Sequence, residues 1–105
     1  MSMSSIGVPL EGFGVYCRAA AAEGAVLLKN EGHMFPLKKE EMVSVFGRCQ
    51  FETYRSGTGS GGAVNVPYAV NIYDGMRESG SFTLNEELAD IYRAWLKDHP
   101  FDNGG

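Results

Sequence analysis

Met42-Val43-Ser44-Val45-Phe46-Gly47 is the stretch that decides the fold. It is short, carries β-branched valines, and is bounded by the charge run Lys38-Lys39-Glu40-Glu41 on one side and Gly47 on the other. That pattern is a buried parallel strand. An irregular piece with Phe51 and Tyr54 follows, and then Ser56-Gly57-Thr58-Gly59-Ser60-Gly61-Gly62. Glycine permits φ > 0 and lets a ligand approach the main chain closely. Open α/β sheets hold their ligands at the carboxyl ends of their strands. The glycine-rich stretch therefore has two readings, a ligand-contacting loop or a plain surface connection.

Downstream, Pro67 suits the first turn of a helix and Gly80 its C-terminal stop. These signals predict a helix over about 67–79, with Tyr68, Ile72 and Met76 on one face and Ala69 and Tyr73 beside it. Ser81-Phe82-Thr83-Leu84 reads as a second short strand, and Thr83 and Glu86 have capping-box spacing. Leu88, Ile91, Tyr92, Trp95 and Leu96 fall at i, i+3, i+4, i+7 and i+8, an amphipathic helix over about 85–98 that His99-Pro100 stops. Residues 101–105 read as a loop that breaks off.

Upstream, residues 1–14 form an extended lead-in containing Gly7, Pro9, Gly12 and Gly14. Val15, Ala19, Ala22 and Val26 then predict a helix over about 15–28, with Ala19 to Ala22 a strong local helix former. Val26 to Asn30 either finishes that helix or begins a short strand. Glu31-Gly32-His33 is a turn, and Met34-Phe35-Pro36-Leu37 re-enters the core extended, because the residue before proline avoids the α region.

The order helix, strand, helix, strand, helix implies an α/β fold with short parallel strands, about 43–47 and 81–84, joined by a right-handed crossover. Two strands are too few for a doubly wound domain. The expectation is an incomplete domain, or one that completes its sheet with a partner.

Composition narrows the function. With 44% hydrophobic residues and 21% charged residues, the 105-residue chain has the make-up of a globular domain. A net charge of -4 gives nucleic-acid binding no electrostatic support, and no apolar run reaches membrane-spanning length. Cys17 and Cys49 lack metal-ligand or CxxC spacing and read as reduced packing residues in a cytoplasmic setting. Met1-Ser2-Met3-Ser4-Ser5 has neither the basic nor the long apolar region of a signal peptide. The glycine-rich stretch lacks the Gly-Lys-Ser/Thr of a P-loop and does not fit GxGxxG, which argues against a nucleotide site. His33 and His99 stand isolated, so no metal and no cofactor is expected.

Arg18-Ala19-Ala20-Ala21-Ala22-Glu23-Gly24-Ala25-Val26-Leu27-Leu28-Lys29-Asn30-Glu31-Gly32, followed by Phe35-Pro36-Leu37, resembles the opening of the α/β sandwich domain of family 3 glycoside hydrolases. The resemblance continues through Val43 to Gly47, Gly57 to Gly61 and Asn65-Val66-Pro67-Tyr68, and covers about residues 16–100. It implies that 1–105 is a fragment of that sandwich domain. The parent it implies is a retaining β-glucosidase acting on a β-glucoside or oligosaccharide, with a (β/α)8 barrel supplying an Asp nucleophile and the sandwich a Glu acid/base. In such enzymes the two carboxyl groups stand about 5–5.5 Å apart, and the acid/base also shuttles the proton. Neither carboxylate maps onto this chain, so the fragment alone is expected to be inactive.

What the resemblance does transfer is the glycine-rich loop, 56–62, as an edge of the aglycone side of the active site. Ser60 matches the family's serine and is a candidate hydrogen-bonding partner for sugar or for the Glu. Thr58 replaces a frequent aromatic, and Gly59, Tyr54 and Arg55 complete the candidate substrate-binding set. Each has a structural alternative: Ser60 bonding local backbone, Tyr54 as a core-rim aromatic, Arg55 as a solvated charge. Phe51, Tyr92 and Trp95 read as packing. Asn30 reads as a helix C-cap with Lys29 at the helix's negative end, and Glu31, Glu52 and Asp74 as structural or exposed carboxylates. The competing function is a non-catalytic module that binds sugar or self-associates through open sheet edges.

Overall fold

The computed structural model describes residues 8–54 and 66–101. The chain divides into two compact units, Met1–Phe35 and Pro36–Gly105.

In the first unit, helix α1 spans Phe13–Gly24. It starts from Gly12, held at φ 81, and ends as Ala25 turns extended at ψ 130, with the Ala25 N–H donating to the Ala22 carbonyl. The helix stops short of residue 28. Glycine is a poor helix residue and a β-branched valine follows close behind, so Val26 to Asn30 neither prolongs the helix nor pairs as a strand. Asn30 does not cap α1. Its Nδ2 donates to the Phe35 carbonyl at 2.8 Å and its Oδ1 accepts from the Phe35 N–H at 3.0 Å. Those two bonds bracket the 3₁₀ turn Glu31–His33, in which Gly32 lies at φ 76. Lys29 faces Glu31 at 3.7 Å rather than the helix end.

In the second unit, strand β1 (Met42–Val43) runs parallel to strand β2 (Thr83–Leu84), with Met42 opposite Thr83 and Val43 opposite Leu84. The Thr83 N–H donates to the Glu41 carbonyl at 3.0 Å and the Asn85 N–H to the Val43 carbonyl at 2.8 Å. Helix α2 (Ile72–Ser79) lies between the strands in sequence and helix α3 (Glu86–Asp98) follows β2. This is the expected α/β order with shorter strands, since the ladder covers only two residue pairs.

Helix α2 begins at Ile72 rather than at Pro67. Asn71 is the cap, its Oδ1 accepting from the Asp74 N–H at 2.7 Å, which satisfies one of the orphan donors of the first turn. Gly80 closes the helix in the left-handed region, as its position predicted. At α3 the capping-box expectation is corrected. Asn85 caps the helix by accepting from the Leu88 N–H at 3.2 Å, while Thr83 lies in β2 and its hydroxyl donates to the Lys39 carbonyl at 3.0 Å.

Tyr73, Leu84 and Ala89 form the buried core, with Val43, Val45, Phe51, Met76 and Phe82 packed against it. Burying a side chain such as Leu84 contributes about 1.5–3 kcal/mol. The core face of α2 is centred on Tyr73, whose ring meets Phe51 at 4.9 Å between centroids. Ile72 and Tyr68, expected on that face, are exposed. Cys17 and Cys49 are free, and both are exposed rather than packed.

Candidate functional site

Parallel strands bring their carboxyl ends to one edge. Here that edge carries the backbone leaving β1 and the backbone leaving β2. Gly47, at φ 97, turns the first of these into a 3₁₀ turn over Arg48–Gln50. Gln50 is buried, and its Nε2 donates to the Val45 and Gly47 carbonyls at 2.9 and 2.8 Å. It thereby satisfies two carbonyls that the short ladder leaves without strand partners. Across the edge, the Asn85 Nδ2 donates to the Ser44 hydroxyl at 3.0 Å.

The segment after the turn is held at two points. Arg48 donates through Nε to Glu52 at 2.9 Å and through Nη2 to the His99 carbonyl at 2.8 Å. Its guanidinium also lies 5.7 Å from the Trp95 ring centroid and 5.8 Å from that of Phe101, within cation–π range. Thr53 supplies the second point. Its hydroxyl donates to the Cys49 carbonyl at 2.6 Å and accepts from the Ile72 N–H at 2.9 Å. Tyr54 follows, exposed rather than set in a core rim. It lines a shallow hollow of about 90 Å³ with Arg48, Cys49, Glu52 and Phe101. The other candidates, Arg55, Thr58, Gly59 and Ser60, lie outside the described residues.

On the flank of α3, an open hollow of about 430 Å³ is lined by Arg48, Ile91, Tyr92 and Trp95. Trp95 stacks on His99 at 4.1 Å with their rings 7° apart. The stripe read as core is thus divided. Leu88, Tyr92 and Leu96 are half-buried, while Ile91 and Trp95 remain 61% and 49% exposed; the helix residue that is buried, Ala89, lies outside the stripe.

A charged cluster joins α2 to α3. Arg77 Nη2 donates to both oxygens of Glu86, at 2.8 and 2.7 Å. This holds the Glu86 carboxyl below the usual carboxylate range. Burial pushes the Tyr73 phenol above the ordinary tyrosine value. Arg77 and Arg93 lie 5.3 and 5.1 Å from the Tyr73 ring centroid. Glu52 is occupied by Arg48 at 2.7 Å, in keeping with a structural reading. Among the described residues no cluster of three metal-ligating side chains occurs, and no helix is long and apolar enough to cross a membrane.

Sequence reasoning missed Arg48 and Thr53. The Arg48–Glu52 spacing of four was a readable signal. The bonds to His99 and Ile72 span 51 and 19 residues, and no local pattern announces them.

This arrangement has known counterparts. The pattern of the glycosyl hydrolase family 3 C-terminal domain matches residues 25–97. A beta-glucosidase of Ruminococcus albus is 49% identical over 83 residues, which are 79% of this chain and 9% of that protein. Beta-glucosidase A of Butyrivibrio fibrisolvens is 35% identical over 80 residues, 75% of this chain and 10% of its own length. The crystal structure of a beta-glucosidase from Paenibacillus barengoltzii matches with a TM-score of 0.84 and 65% identity, covering 94% of this chain and 11% of that one. The chain therefore spans about a tenth of the length of these relatives.

Proposed function

From the premise that the chain belongs to glycosyl hydrolase family 3, through that family's C-terminal domain, we propose that it is one portion of a retaining β-glucosidase. In this reading the parent acts on terminal β-D-glucosyl residues, and the glycine-rich stretch 56–62 borders the aglycone side of its active site. The observation that carries the reading is the likeness to beta-glucosidases in both sequence and structure, at 49% and 65% identity. The position of the loop's flanks supports the role given to 56–62. Tyr54 follows the backbone that leaves β1 at the carboxyl edge of the sheet, where α/β folds hold ligands.

Chemistry divides the labour. A retaining glycosidase needs a nucleophilic carboxylate and an acid/base carboxyl about 5–5.5 Å apart. Among the described residues, Glu52 is committed to Arg48 and Glu86 to Arg77. The catalytic pair is assigned to parts of the parent other than these residues, and this portion contributes binding. Ser60 is its polar contact, with Thr58, Gly59, Tyr54 and Arg55 around it. The setting is cytoplasmic, in line with two free thiols.

The test is hydrolysis of aryl β-glucosides by the purified 105-residue chain and by a chimera in which it replaces the matching segment of the P. barengoltzii enzyme. The chain alone should give no turnover and the chimera should hydrolyse. Steady turnover by the isolated chain would refute the division of labour, because it would require a catalytic carboxylate pair within these residues.

A further inference from the structure

We infer that the aromatic face around Arg48 is a binding site for an uncharged aryl group, the aglycone of an aryl glucoside. Two hollows share this residue. The larger, of about 430 Å³, has Ile91, Tyr92 and Trp95 as its other walls. The smaller, of about 90 Å³, has Tyr54 and Phe101 in its lining. The Arg48 guanidinium lies 5.7 Å from the Trp95 ring centroid and 5.8 Å from that of Phe101. One cation therefore bridges the rings of the two hollows.

Exposure, rigidity and charge together point to a ligand. Trp95, Phe101 and Tyr54 are 49%, 57% and 61% exposed. Single apolar side chains on a surface are ordinary, whereas a cluster of them marks a binding surface. The face is also fixed before anything binds. The Trp95 ring is backed by His99 at 4.1 Å, 7° from parallel, and Arg48 is held by Glu52 and by the His99 carbonyl. Side chains already fixed lose little freedom on binding. The charge of Arg48 is matched by Glu52 at 2.7 Å, so an uncharged ring fits this face better than a carboxylate. Such a ring can stack on the exposed aromatics and turn its π face to the guanidinium. The larger hollow falls within the range of small-molecule sites, about 300–1,000 Å³. The class of ligand comes from the β-glucosidase reading, on which the proposal rests; the place comes from the described residues alone.

The probes are phenyl β-D-glucoside and methyl β-D-glucoside. Each is titrated into the 105-residue chain and followed by NMR through the indole N–H of its single tryptophan, Trp95. Phenyl β-D-glucoside should shift that signal saturably, with a Kd on the order of 1 mM. Methyl β-D-glucoside at the same concentrations should leave it in place. Phe101→Leu keeps apolar bulk without the ring and should weaken binding roughly two- to tenfold. Tyr54→Phe keeps the ring and should leave the Kd unchanged. Equal shifts from both glucosides, no shift from either, or an unchanged Kd in Phe101→Leu overturns the inference. So does an indole signal that moves with protein concentration in the absence of glucoside, which assigns the face to a second copy of the chain. The chimera keeps the two readings apart. Hydrolysis by the chimera with no binding by the chain removes the aryl site and leaves the β-glucosidase reading. Saturable binding by the chain with an inactive chimera does the reverse.

Discussion

The same substitution at two glycines of one helix, one inside it and one at its end, should have opposite signs, and backbone geometry alone decides which. Gly75 lies inside α2 and is exposed. Among the described residues a Cβ built there meets only Val70 Cγ1, at 3.7 Å, an ordinary van der Waals contact. Gly75→Ala therefore adds no clash, removes conformational freedom from the unfolded chain, and should stabilise by about 0.5–1 kcal/mol. Gly80 terminates the same helix at φ 64, and a Cβ there meets nothing within 4 Å among the described residues. Space is not the obstacle at Gly80. The left-handed conformation costs an L-residue about 1–2 kcal/mol, so Gly80→Ala should destabilise by that amount. For a domain of this size, 1 kcal/mol corresponds to roughly 4–8 °C in Tm. Thermal unfolding followed by circular dichroism at equal concentration should place Gly75→Ala above the parent chain and Gly80→Ala below it. A lower Tm for Gly75→Ala would mean that Gly75 has packed neighbours where the geometry leaves room. Equal Tm values for Gly80→Ala and the parent would mean that α2 does not end in a left-handed turn.

Asn85 both caps α3 and bonds Ser44 across the sheet edge. Asn85→Ala should cost about 1–2 kcal/mol, while Asn85→Asp, an equally good cap without the amide donor, should cost less. Urea unfolding followed through the single tryptophan, Trp95, checks the order. Glu86 is held below the usual carboxylate range mainly by the two hydrogen bonds from Arg77. The folded state binds that proton less readily than the unfolded chain. The contribution is thus present above the unfolded value of about 4.3 and is lost as pH falls toward the lower folded value. Glu86→Gln should flatten the stability profile in that acid window and leave its shape near neutrality unchanged. An identical acid slope in the two proteins would refute the pairing.

Much of the architecture was legible locally. The valine-rich run at 42–47 marked a parallel strand, the alanine run at 19–22 a helix, and Gly80 a helix end in the left-handed region. The family resemblance rested on contiguous blocks such as Lys29-Asn30-Glu31-Gly32, and contiguous blocks survive in any reading of a sequence. Boundaries were less legible because they depend on competition. Pro67 is an acceptable first helical residue, but Asn71 offers an oxygen to Asp74 and Thr53 offers one to Ile72, so the helix waits until both partners are in reach. Thr83 has capping-box spacing to Glu86, yet the ladder claims its backbone and Asn85 takes the cap.

By itself, then, the sequence determined the kinds of element, their order and the family, because helix and strand periods and glycine conformations are properties of neighbouring residues. Only the tertiary structure decided the long-range ties of the segment that leaves β1. Arg48 reaches His99, and Thr53 reaches Ile72, across distances in sequence that no periodicity encodes. It also decided that Ile91 and Trp95 face outward while Ala89 is buried. An amphipathic pattern specifies which side of a helix is apolar, and only the packed neighbours specify how much of that side they cover.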